Sequence, residues 1–132
     1  MAGKSKVRIK VLKRLNSKEI FGDNPPLGEN VKACPVYEVD QEFIVSEDGE
    51  MPKGFCHWAW NDLYKVVTAL RYGVNWEPET KKKGAPTVHC CTDGLRPVIF
   101  KLERVSYESH TEDVEVLLKH WKHQNLFSIL QM

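Results

Sequence analysis

The sequence predicts an α+β fold, and three observations carry that expectation. Val7, Ile9 and Val11 alternate with Arg8 and Lys10, the period of a half-buried strand. Cys56, Trp60, Leu63, Val67 and Leu70 recur at spacings of four, three, four and three, the period of a helix buried along one face. Asp93-Gly94 stands between two apolar runs, a strong local hairpin signal. The order of strands, helix, hairpin and helix lacks the regular alternation that builds a parallel sheet. The expected sheet is therefore small and mostly antiparallel, with a barrel-like closure as one form open to it. One central helix packs it and a C-terminal amphipathic helix follows.

The elements can be justified in order. After the first strand, two glycines and two prolines make Phe21–Gly28 a loop. The run Cys34–Val45 reads as strand, with Val36, Phe43, Ile44 and Val45 as its apolar content and a bend near Asp40-Gln41. Ser46–Gly49 is a surface turn. The central helix spans about Phe55–Tyr72, with Gly73 as a left-handed stop. Ala59 and Val66 widen its apolar face, whereas Asn61, Asp62, Lys65 and Arg71 lie away from it. A charged loop over 77–86 carries Lys81, Lys82 and Lys83. The hairpin pairs Thr87–Cys91 with Val98–Arg104, and Pro97, which cannot donate to a ladder, belongs at an edge or bulge. Ser109 and Glu112 have the spacing of a capping box ahead of Val114, Leu117, Leu118 and Trp121. This divides the chain into an α+β domain over 1–108 and a helical extension over 109–132.

At 132 residues, 42% of them hydrophobic, the chain suits one core. Nineteen basic against eighteen acidic residues argue against nucleic acid as a partner, because phosphate binding needs a positive surplus. The basic residues near the start form the solvated face of an alternating strand. No apolar run follows them in the manner of a secretory signal, and none reaches the roughly 18 residues of a membrane span. The expectation is a small, soluble, cytoplasmic binding protein with reduced thiols and no membrane partner. Phosphate-loop, dinucleotide-binding, zincin and serine-hydrolase motifs do not occur.

Chemistry-bearing side chains gather at structural boundaries. His89, Cys90 and Cys91 adjoin the hairpin turn, Cys34 precedes Pro35, and Cys56 precedes His57 at the helix start. Thiolates are natural ligands for zinc and for iron–sulfur clusters, and a helix N-terminus favours the thiolate of Cys56. Cys34, Cys56, and Cys90 or Cys91 would form such a site, with His57 or His89 as a further ligand. Against it, no Cys-x-x-Cys pair occurs, and Cys34 and Cys56 stand 22 positions apart. Strand alternation also sends Cys90 and Cys91 to opposite faces. The plain alternative is that the thiols pack as small buried hydrophobes.

A second reading needs no metal. Trp58 supplies an aromatic wall off the main apolar stripe, and Asp93 and Arg96 flank the turn. Together they suit a small carboxylate or phosphate ligand, with Arg96 as its anchor. An enzyme version adds Cys56 or Cys91 as nucleophile and a histidine base. The plain alternatives are turn chemistry for Asp93 and cross-strand pairing for Arg96. His120 and His123 share a helix face but sit among lysines near a helix end, as a solvated face would. A third reading is a homo-oligomeric structural module assembled through the 112–130 helix.

Three ordered motifs carry a resemblance: Cys34-Pro-Val36, Met51–Trp60 and Cys91–Phe100. Over roughly residues 6–106 the chain resembles a family of small prokaryotic proteins with no assigned function. The resemblance implies that cysteines at 34, 56 and near 91 are typical of the group, and that the C-terminal helix is an extension. It brings no catalytic residues.

Overall fold

Apolar alternation in Lys6–Arg14 makes strand β1, whose Val7, Ile9 and Val11 are wholly buried. The computed structural model describes residues 4–74 and 84–105. There β1 is joined by β2 (Glu42–Val45), β3 (Thr87–Cys90) and β4 (Val98–Val105) in one antiparallel sheet of order β2-β1-β4-β3. Ile9 pairs with Phe43 on one side and Leu102 on the other, so the inward positions of three strands fall in one row. A register shift between Val11 and Lys13 then brings Lys13 opposite Ile99 and Arg14 opposite Val98. The α+β expectation holds. The barrel-like form is not realised among the described residues, because β2 and β3 occupy opposite edges and do not meet.

Among the described residues, one helix covers a face of the sheet. This is α2 (His57–Arg71), and its buried residues Ala59, Leu63, Val66, Val67 and Leu70 face the inward positions of the strands. Burying each Leu or Val contributes roughly 1.5–3 kcal/mol. The helix ends as expected. Gly73 takes φ +93°, its N–H donates to Leu70 O (3.2 Å), and that of Val74 to Ala69 O (3.0 Å). The paired bonds satisfy two carbonyls that a helix end otherwise leaves open. At the other end of the core, Tyr37, Phe43, Phe55 and Phe100 stack mostly edge to face, with centroids 4.9–5.8 Å apart.

Four local expectations need correction. Cys34–Val45 is strand only from Glu42, because Asp40 adopts φ +70° and Pro35-Val36 form a turn. Cys56 and Trp60 sit at the margin of the buried face of α2 rather than on its centre. Arg71, expected in solvent, is buried, and its Nε and Nη2 donate to Glu47 O at 3.0 and 2.6 Å. The hairpin connection is longer than the four-residue turn expected at Thr92–Leu95: Cys91 and Val98 still bond through their backbones, so residues 92–97 form the loop. A short helix absent from the sequence reading, α1 (Ser17–Phe21), follows a capping box between Asn16 and Glu19. The 109–132 helix, Trp76, His120, His123 and Lys81–Lys83 lie outside the described residues.

Candidate functional site

The start of α2 and the 92–97 loop meet in a hydrogen-bonded network. Trp58 and Asp62 stand one helical turn apart and point to the same side. Trp58 Nε1 donates to Thr92 Oγ1 (2.8 Å), and that hydroxyl lies 3.1 Å from both carboxylate oxygens of Asp62. Thr92 N–H also donates to Asp62 (2.8 Å). The loop is braced from within, since Asp93 Oδ1 accepts from the N–H groups of Leu95 (3.0 Å) and Arg96 (3.3 Å). Asp93 Oδ2 takes Arg96 Nε at 3.4 Å. Beside this network lies an open cleft of about 420 Å³, lined by Trp58, Thr92, Asp93, Gly94 and Leu95. The indole forms one wall and remains 65% exposed although its N–H is bonded.

A second cleft, about 480 Å³, runs along the neighbouring side of α2 between His57, Trp60, Asn61, Tyr64 and Lys65. His89 sits near Lys65, and its Nε2 is 2.9 Å from Thr87 Oγ1. Burial, reinforced by the Lys65 charge, holds the His89 imidazole below its ordinary value.

Three of the four thiols gather elsewhere, around Tyr37. This side chain is 2% exposed, and its hydroxyl oxygen accepts the Cys56 N–H at 3.1 Å. Burial pushes the Tyr37 phenol well up. The Cys56 hydrogen bond opposes that, and the nearby Cys56, Cys34 and Cys91 thiols add to it, because a thiolate disfavours a phenolate beside it. Cys34 and Cys56 are half-buried against the core, whereas Cys91 is inside it and its sulfur accepts the Val98 N–H at 3.3 Å. Cys90 is exposed, so the alternation of Cys90 and Cys91 between faces is observed.

The sequence-derived residues thus separate into groups. Trp58 and Asp93 share a cleft, with Arg96 paired to Asp93. Cys34, Cys56 and Cys91 share the Tyr37 corner. His57 lies in the second cleft, His89 near it, and Cys90 on the outer face. Among the described residues, no group of three or more His, Cys, Asp or Glu side chains that could hold a metal ion occurs. Sequence reasoning missed Thr92 and Tyr37. Thr92 carried a signal in its position beside the Asp-Gly turn, whereas Tyr37 had none beyond its place after Cys34-Pro-Val36.

No family model, curated protein or solved structure matches the chain. The resemblance drawn from the three motifs therefore has no matching family model behind it. No helix among the described residues is long and apolar enough to cross a membrane.

Proposed function

We propose that the protein is a non-catalytic binding protein whose ligand is a small anion with a flat apolar part, seated on Trp58. One observation carries this reading: the indole is held in place by Thr92 yet 65% exposed beside an open cleft. A tryptophan serving only stability would bury its ring, and an unpinned surface ring would pay an ordering cost on binding. The cation offered to an anionic ligand is Arg96, paired to Asp93 of the cleft lining. Asp62 and Asp93 are already engaged by internal donors. Arg96 uses its Nε on Asp93, and its terminal nitrogens have no other partner among the described residues. A carboxylate would meet those nitrogens with its ring over the indole.

Catalysis by a cysteine has less support. Cys91 is buried with its sulfur accepting a backbone N–H, and His57 faces the other cleft. The test is an NMR titration of the Trp58 indole N–H with benzoate, indole-3-acetate and inorganic phosphate. Saturable shifts with the two aromatic carboxylates, lost in Trp58→Ala and weakened about tenfold in Arg96→Gln, are expected. An indole resonance unmoved at millimolar ligand rejects the reading.

A further inference from the structure

The Tyr37 corner has no part in the Trp58 cleft and calls for its own account. Tyr37 closes the turn that begins at Cys34, and its hydroxyl receives the Cys56 N–H at 3.1 Å. Phe55, adjacent to Cys56, stacks on the Tyr37 ring with centroids 5.4 Å apart. The segments 34–37 and 55–56 are therefore in direct contact, and each brings a half-buried thiol to the edge of one core cluster. Cys56 is the N-cap residue of α2, but its side chain makes no capping bond. The Tyr37 O–H finds no acceptor among the described residues, although the side chain is 2% exposed. Its O–H is free to donate to a neighbouring sulfur when that sulfur carries negative charge.

We propose that Cys34 and Cys56 are a reversible thiol pair, oxidised by a hydroperoxide to a disulfide that ties the 34–37 turn to the start of α2. One thiol, as its thiolate, attacks the peroxide; an S–O bond forms, the O–O bond breaks, and the departing oxygen takes the thiol's proton to leave as alcohol or water. The second thiol displaces the hydroxyl from that sulfenic sulfur, so an S–S bond forms and water leaves. Two thiols lose two electrons together, and one peroxide gains them. A small dithiol reverses the step by exchange. Tyr37 O–H donates to whichever sulfur is anionic.

The choice of partners follows from exposure and bonding. Cys91 is 8% exposed and its sulfur already holds the Val98 N–H, so it is the poorer member of any pair. Cys90 lies on the outer face, away from the other three.

The experiment is hydrogen peroxide treatment of the full chain, followed by unreduced peptide mapping in a mass spectrometer. The expected product is monomeric, lacks two hydrogens, recovers them with dithiothreitol, and carries the Cys34–Cys56 link. Cys34→Ser and Cys56→Ser each abolish the link, Cys90→Ser keeps it, and Tyr37→Phe slows its formation several-fold. A link through Cys91, a dimer through Cys90, or sulfinic acid on unlinked cysteines overturns the pair. An unslowed Tyr37→Phe overturns the part given to the phenol. Mapping of the unaltered chain decides the pairing even if a serine variant fails to fold.

Discussion

Two aromatic side chains flank the first turn of α2, and they are used in opposite ways. Tyr37 is 2% exposed and Trp58 is 65% exposed, yet the polar atom of each is hydrogen-bonded. Around Tyr37, Phe43, Phe55 and Phe100 complete the packing, so the hydroxyl is a polar point inside an apolar cluster. Around Trp58 the partners are Thr92 and Asp62, and the ring faces a cleft. Packing explains the ring of the first residue. It does not explain the second, whose ring is fixed without being buried, and that surplus is what marks it as a contact for something else.

Substitutions can break this contrast. The largest effect is expected at Tyr37→Ala, which removes the centre of an aromatic cluster and should cost about 3–5 kcal/mol in urea unfolding. Trp58→Ala should cost at most about 0.5 kcal/mol by the same measurement, since little buried surface is lost. Equal losses at the two sites would erase the distinction. Asp62→Ala should fall between them, at about 1 kcal/mol, because it takes the acceptor from Thr92. It should also broaden or shift the Trp58 indole resonance while leaving the Tyr37 cluster unchanged.

The smallest effect concerns pH, through His89 near Lys65. Its imidazole is held below the ordinary value of 6.5, so below that pH the unfolded chain binds the proton more readily than the folded one. Stability from this group is complete above 6.5 and falls as pH drops through that value toward the lower folded one. Urea midpoints measured from neutral pH downward should show this decline, and His89→Gln should flatten it.

Much of the frame was legible because periodicity reports burial directly. Val7, Ile9 and Val11 declared their face, Leu63, Val67 and Leu70 declared theirs, and Cys90 and Cys91 separated as alternation requires. Trp58, Asp93 and Arg96 were also legible as a neighbourhood, since a helix start and a turn each expose their own residues. What could not be read was pairing across the chain. Thr92 becomes the hub only because the hairpin end lands beside Asp62, 30 positions earlier. The gathering of thiols at Tyr37 depends likewise on three separate segments meeting. Arg71 escaped because its polarity predicts solvent, whereas the carbonyl of Glu47 and the ring of Tyr72 receive its guanidinium. The short helix after Asn16 was legible in principle from the Asn-x-x-Glu spacing, but five residues give no period to find.

That buried arginine leaves a mark on the chain's possible histories. Gly49 has φ +78°, and a Cβ there would overlap the guanidinium of Arg71. Positions 49 and 71 are therefore coupled, although 22 residues separate them. A lineage drifting from this sequence must shorten the side chain at 71 before a larger residue at 49 finds room, and the backbone at 49 then still disfavours it. The order of substitutions is thereby constrained: position 71 can change alone, whereas a larger residue at 49 has to follow it.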